Sequence, residues 1–496
     1  MADRLVAVND ADYRLPPPVR QGIAADAADT SSELGRVMED NWGRAISVKS
    51  YGAKGDGTTD DTAAILAAEA AAHAIGASLW FPSGVYLADR FQTRVSLRGD
   101  RSSIRLRTPA FTLLEIVASN VTIENLILDG NDLSTGYIID HATNSAGVRI
   151  IGCELKNASG TGTVALIRVR AGCDRMVIED NWLHGAKSTT IGRGILIGSN
   201  DGTGTVVGVK IRGNTIEDIE PAIDGDGIVV QNFTATVDVS ITNNLFQRCR
   251  KRGVKVQCAG VLVEGNRIHT AYDAAMAQQA YSAISVYAAN CRVQNNTLIG
   301  VWATAAIDLG AVSVPISDVD VCDNVILGDI PNRRPSGDGI SFDSLTPSIT
   351  RCHISRNTVV GVRHGVRLQN VIDQTEAIGN HFTSLTGSAY VVDDNNVGTA
   401  ARVRVGGGSI KSVANYSVTT DGGAAPAVLV IDPIIGSGGF GALTTSAASG
   451  SRAALHGVDP APRALAAPAA TDATTTQTLV NDLRASLIAA GILRAS

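Results

Sequence analysis

A chain of 496 residues, 44% of them apolar, has material for a large core, and its length fits two to four domains or one long repeat body. Aromatics are only 4% while glycines number 51, and Val, Ile, Ala and Thr abound, a mixture suited to many short strands joined by tight turns. The net charge of −6, with mixed signs and a single basic run at Arg248–Arg252, argues against nucleic acid or an anionic membrane as main partner.

The first twenty residues, "MADRLVAVNDADYRLPPPVR", hold no apolar signal-like core, and no window reaches about 18 apolar residues. Neither a cleaved export signal nor a membrane span is expected. The "PPP" reads as a stiff spacer within an arm of about 45 residues.

Next comes "VKSYGAKGDGTTDDTAAILAAEAAAHAIGASLWFPSGVYLADR", Val48 to Arg90. Its middle predicts a helix with Asp60 or Asp61 as N-cap and Gly76 at the end. The GDG before it lacks the lysine of a phosphate loop and the ligand spacing of a calcium loop, so it reads as a turn feeding the cap. "SLWFPSGVYLADR" then forms a strand, a turn and a second strand.

From about residue 120 one phrase recurs: alternating β residues, an asparagine, then an apolar residue. Examples are "MVIEDNWL", "VKIRGNTI", "VLVEGNRI" and "CHISRNTV". The asparagines are Asn181, Asn214, Asn244, Asn266, Asn296, Asn324, Asn357 and Asn380, with Cys153 in the slot one unit earlier. A second strand follows each, usually opened by glycine, as in "RGILIG", "DGIVVQ" and "RGVKVQ". Loops that vary while strands hold phase mark a solenoid. Period-2 alternation excludes helical repeats and leaves a parallel β-helix of two or three strands per coil. The asparagines should stack, taking the left-handed bend and hydrogen-bonding along the pile. A solenoid end exposes core and strand edge, so the helix that starts at Asp60 or Asp61 and ends at Gly76 reads as its lid.

Beyond residue 400, "RVRVGGGSI" and "PAVLVIDPIIG" form a Gly/Ser/Val-rich β region (401–450) that either continues the coils or intertwines between chains. The last segment, 451–496, is an Ala/Pro linker and a short amphipathic helix with Leu479, Leu483 and Leu487 on one face and Gly491 at its end. Seven cysteines form no CxxC pair, and Cys291 and Cys352 occupy apolar strand slots, which makes them buried thiols.

"YGAKGDGTTDDTAAI" followed by "FPSGVY" resembles the N-terminal signature of the pectate-lyase-like superfamily. The resemblance implies a right-handed, all-β parallel β-helix over 46–400 with an N-terminal capping helix. That superfamily spans polygalacturonases, lyases, sugar-transferring enzymes, and bacteriophage tailspikes and tail fibres. The tail "ATDATTTQTLVNDLRASLIAAGIL" resembles the ends of phage and prophage fibre proteins. The leading expectation is a tailspike- or fibre-like virion protein that binds host cell-surface polysaccharide and carries or lacks depolymerase activity. It implies a homotrimer, attachment to other virion proteins through residues 1–45, synthesis in the host cytoplasm and release by lysis. The rivals are a purely structural spike or decoration protein, and a polysaccharide hydrolase or lyase acting alone.

Chemistry on such a fold needs two carboxyls for glycoside hydrolysis, or a base and a charge neutraliser for a lyase. Residues two past the glycine slot should face outward: Leu196, Val229, Lys255, Ser285, Asp308, Ser341 and Arg367. Those four past it are Gly198, Gln231, Gln257, Tyr287, Gly310, Asp343 and Gln369. Asp308 and Asp343 then lie about 8 Å apart on successive coils, in the inverting range. A second pair, Asp224 and Asp226, follows Glu217, Asp218 and Glu220, with Arg250, Arg252 and Lys255 on the next coil. These four aspartates are the candidate catalytic residues; Lys255, Gln257, Tyr287 and Arg252 are the candidate substrate-binding residues. Against them stands turn chemistry for Asp before Gly, and a weak surface ion pair for Asp226 with Arg252. Tyr272, Tyr287 and Trp302 are candidate sugar-stacking rings or buried anchors. The histidines fall singly, with no HxH, HExxH or GxSxG element, so no metal or other cofactor is expected.

Overall fold

The computed structural model describes residues 45–198, 203–270, 281–311, 315–328, 337–393, 402–413, 418–420, 428–432, 435–436 and 452–455. The proposed N-terminal arm and the C-terminal helix lie outside them.

Each full coil has three strands, and every strand pairs in parallel with its counterpart one coil away. The first sheet runs through Val177–Glu179, Val209–Arg212 and Val239–Thr242, paired Ile178 to Ile211 and Ile211 to Ile241. The second follows the asparagine, with Leu183 beside Ile216 and Ile216 beside Phe246. The third holds the glycine strands, Ile191–Gly198, Asp224–Gln231 and Arg252–Val256, paired Ile195 to Ile228 and Ile228 to Val254. Alternation turns Ile178, Ile211, Leu183, Ile216, Ile195 and Ile228 inward, each with no exposed surface. Burying such a side chain contributes about 1.5–3 kcal/mol, and in-phase repetition makes one continuous core.

The asparagines form an unbroken ladder from Asn181 to Asn380. In each step Nδ2 and the backbone N–H donate to Oδ1 of the next asparagine at 2.9–3.0 Å, as in Asn214 to Asn244 and Asn296 to Asn324. Nδ2 also donates to a carbonyl of the preceding coil, Ile178 for Asn214. Cys153 ends the ladder by donating its backbone N–H to Asn181. The left-handed bend falls one residue earlier than expected, on Asp180, Asn243, Asn295, Asp323 and Arg356 or on Gly213, Gly265 and Gly379. That bend swings the following asparagine inward, where it has no water to bond and is satisfied only by its neighbours.

Helix α1 (Thr62–Ile75) lies over the first coil, packing Ile65, Ala68 and Ala72 on the core. Asp60 takes the capping role, accepting from the backbone N–H of Thr62 at 3.0 Å. Asp61 turns back instead, buried, and accepts from the N–H groups of Lys54 and Gly55 at 2.6 and 3.0 Å. Asp56 is spent on Thr58 and Thr59 within its own turn. Gly55, at φ +62°, leaves room for the Tyr86 ring, which a Cβ would approach to 2.8 Å, and Tyr86 donates to the Pro82 carbonyl. The GDG and FPSGVY stretches are therefore one interlocked lid.

The β-helix boundary placed at 400 moves outward. Arg402–Gly406 pairs on Thr375–Ile378, Val428–Asp432 pairs on Arg402–Gly406, and Arg452–Leu455 pairs on Val428–Asp432. All seven cysteines are free thiols, with Cys291 and Cys352 buried. Among the described residues, no helix is long and apolar enough to cross a membrane.

Candidate functional site

The outer face of the third sheet carries both expected columns in the expected register. Leu196 pairs with Val229, Val229 with Lys255, Lys255 with Ser285, Ser285 with Asp308, Asp308 with Ser341 and Ser341 with Arg367. Beside them run the Gly198–Gln231 pair and the Gly310–Asp343–Gln369 series. The expectation that the first column is open to solvent is corrected: Leu196, Val229, Ser285, Asp308 and Ser341 are buried, and only Lys255 and Arg367 are partly exposed. Leu196 and Val229 form a small apolar cluster with Tyr137 and Ala165, buried although it lies outside the coil. Long side chains cover that face: the Arg168 guanidinium sits 5.0 Å from the Tyr137 ring centre.

Asp224 and Asp226 lie within a strand rather than a turn, and the structure brings them together with Arg252 and Lys255. Arg252 Nη1 donates to Asp224 at 2.8 Å and to Asp226 at 3.2 Å, its Nε donates to Ser285 at 3.1 Å, and its guanidinium stacks 4.7 Å from the Tyr281 ring centre. Lys255 Nζ donates to Asp224 at 3.2 Å. Arg193, almost fully buried, approaches Asp224 and Asp226 at 3.9 and 3.8 Å and donates to Gln231 at 2.8 Å.

The two carboxyls are pushed in opposite directions. Asp226 has no exposed surface, and burial raises its pKa despite Arg193 and Arg252. Burial also works against the Asp224 carboxylate, but that side chain is 32% exposed, and Lys255 and Arg252 hold its pKa down at about 2. The expectation of a weak surface pair between Asp226 and Arg252 is thus corrected: the pair is buried, and a buried carboxylate needs its cations. Asp226 also has no surface to offer a substrate. Arg252 is nearly buried and joins Asp224, Asp226 and Ser285 through its Nη1 and Nε.

The other candidate pair divides differently. Asp308 is buried and accepts from the Tyr287 hydroxyl at 3.0 Å. Asp343 pairs along the backbone with Gly310, one coil up and two residues on, and its side chain lies outside the described residues. Gln257 is exposed and Tyr287 half-buried, on adjoining coils through the Tyr287 N–H to Val256 carbonyl bond. Of the two readings of Trp302 the structure has the buried anchor, 1% exposed with its indole N–H donating to Thr270. Tyr272 lies outside the described residues. Of the nearby acids, Glu217 and Asp218 belong to the second sheet, where Arg248 grips both.

Arg193 was missed because the columns were read only past the glycine. The position just before it is also a column, with Arg193 paired to Asp226 and Asp226 to Arg252. The strings "RGILIG", "DGIVVQ" and "RGVKVQ" already carry that alternation of charge.

Residues 45–276 match the family model described as rhamnogalacturonase A/epimerase, pectate lyase-like, and residues 193–429 match that of the right-handed β-helix region. No curated protein matches the sequence. Solved structures of similar fold include the A-module of the Azotobacter vinelandii mannuronan C-5 epimerase AlgE6, at 15% identity over 79% of this chain and 100% of that one, TM-score 0.49. The Streptococcus pneumoniae surface protein and adhesin PfbA follows at 15% identity over 76% and 99%, TM-score 0.47. The Dettilon tailspike protein is 16% identical over 84% of this chain and 74% of its own, TM-score 0.49. From residue 45 to residue 429 the chain is a right-handed parallel β-helix, pectate-lyase-like over residues 45–276.

Proposed function

We propose that this protein is a tailspike- or fibre-like virion protein of a phage or prophage that binds a host surface polysaccharide along the outer face of the third sheet. The observation that carries the reading is the set of polar and charged side chains that reach solvent on that face, Lys255, Gln257, Tyr287, Arg367 and Gln369, above the buried Ser285, Asp308 and Ser341. Coils rise by ~4.8 Å, so a polymer lying along them can reach from Lys255 and Gln257 past Tyr287 toward Arg367 and Gln369. The phage assignment rests on the resemblance of the tail sequence to fibre-protein ends. Trimerisation, attachment through residues 1–45 and release by lysis belong to the same proposal.

Binding is favoured over cleavage because the acids are occupied. Asp226 is sealed beneath Arg193 and Arg252, while Asp224 is tied to Arg252 and Lys255. One observation favours a second reading, a hydrolase or lyase. Two carboxyls whose pKa values are driven apart resemble an acid and its ionised partner. Their shared Arg252 nitrogen implies a spacing nearer the retaining geometry than the inverting one.

The test uses purified bacterial capsular and O-antigen polysaccharides, with binding, reducing-end release and ultraviolet absorbance of unsaturated products measured together. The proposal expects saturable binding without release. Release that disappears in an Asp224→Asn, Asp226→Asn variant establishes the depolymerase, and accompanying absorbance makes it a lyase. Absence of binding to every polysaccharide overturns the glycan reading.

A further inference from the structure

The outer face of the second sheet holds an exposed tryptophan in a built setting. Trp182 follows the ladder residue Asn181, and because Leu183 points into the core, Trp182 and His184 both point out. Trp182 is 42% exposed, one of a few large apolar side chains that reach solvent among the described residues, with Phe111, Val207 and Ile223 among the others. It is also clamped. Its indole N–H donates to Glu217 at 2.6 Å, and its ring stacks on His184 with centroids 4.2 Å apart and planes 26° from parallel.

Each clamp is held in turn. Arg248 grips Glu217 at 2.7 Å, and His184 Nε2 lies 3.2 Å from the buried Glu154, which also accepts from Lys156 at 2.6 Å. The strand register places Glu154 and Thr215 on either side of Trp182, and Lys156 and Glu217 on either side of His184. A ring fixed in both tilt and rotation loses little entropy when something docks on it. With His184 covering one ring face, the exposure falls on the rest of the indole.

We propose that Trp182 is the stacking platform of a second carbohydrate site, which takes one pyranose ring of a glycan on a face of the coil separate from the third-sheet groove. A pyranose has an apolar C–H face and a rim of hydroxyls. Trp182 offers a flat apolar surface, and Lys156, Glu217 and Arg248 offer donors and acceptors around it. A second copy of the chain fits worse, because interface cores are depleted in charge and this ring is encircled by it. Nucleic acid fits worse too, since the rim mixes acids with bases. The site leans on the proposed function only for the expectation that the partner is a glycan.

The test labels the full chain with 5-fluorotryptophan and assigns the resonances of its four tryptophans by single Trp→Phe substitutions. Hexasaccharides of glucose, galacturonate and N-acetylglucosamine are titrated in turn. The proposal expects at least one to shift the Trp182 resonance saturably while the buried Trp302 stays still. Trp182→Ala should weaken that response's affinity, read by calorimetry, by about tenfold or more, with Trp182→Phe within a few-fold of the parent. Lys210→Ala, on the first sheet, should leave it unchanged. A Trp182 resonance that no hexasaccharide moves, or equal affinity in Trp182→Ala, overturns the site. A Trp182 response with no effect of any third-sheet substitution on glycan binding sinks the groove reading alone, and the converse sinks this one alone.

Discussion

Asn296 donates from its side-chain amide to the side-chain oxygen of Asn324, 3.0 Å away, and neither residue has exposed surface. The same oxygen accepts the backbone N–H of Asn296, so one side chain closes two donors of the coil before it. Asn296 itself serves Asn266 in the same way. Replacing Asn296 with Ala strands the Asn266 N–H and amide, and removes the donor to the Val263 carbonyl. Each buried group left unsatisfied costs about 1–3 kcal/mol, so the loss should reach about 3 kcal/mol or more. A urea midpoint is the measurement, with Lys210→Ala, at an exposed strand position, as the control expected to change it little.

The lid makes a second prediction. Asp61→Ala removes the acceptor of two backbone N–H groups, at Lys54 and Gly55, from a site with almost no exposure. A cost of about 2–4 kcal/mol is expected, concentrated at the N-terminal coils. Hydrogen exchange should speed up in Thr62–Ile75 and Ser78–Phe81 while the Asn324 region keeps its protection. Uniform acceleration along the coil would contradict the local role.

The buried and the half-open aspartate should respond differently to removal. Asp226→Ala leaves Arg193 and Arg252 without their shared buried carboxylate, a change expected to cost about 3 kcal/mol or more. Asp224→Ala should cost clearly less, since that side chain reaches solvent. Denaturation midpoints of the two variants, compared with the parent, decide the order.

Acid should erase the Asp224 contribution. Its folded pKa of about 2 lies below the ordinary value of 3.8, so the native state holds this proton less readily than the unfolded chain. The stabilisation is complete above about pH 4 and is lost as pH falls toward about 2. The midpoint difference between the parent and Asp224→Asn should therefore shrink over that interval. Asp226 works the other way: its raised folded pKa makes its contribution largest in acid and smaller as pH rises through that value.

The solenoid was legible because burial has period 2 and the loops do not: "VKIRGNTI" and "DGIVVQ" state which residues face the core. The outward columns from Leu196 to Arg367 followed from that phase. What stayed hidden depends on side chains reaching across coils. Asp226 is buried because Arg193, 33 residues earlier, and Arg252, 26 later, close over it, and no local pattern encodes that closure. The sequence left Trp302 open between a sugar-stacking ring and a buried anchor, because its buried acceptor, Thr270, lies 32 residues away. The bend one residue before each asparagine was missed because Asp180, Arg356 and Gly213 share no residue type, only a left-handed backbone.

The central claim is that polysaccharide lies on the outer face of the third sheet, and the most direct test is affinity for a bound capsular or O-antigen polysaccharide in the parent and in a Lys255→Ala, Gln257→Ala variant. The account predicts a loss of about tenfold or more, equivalent to about 1.4 kcal/mol, with a cooperative denaturation transition whose midpoint falls no further than that of Asp224→Ala. Equal affinity in a folded variant would contradict it and move the binding surface to another face of the coil.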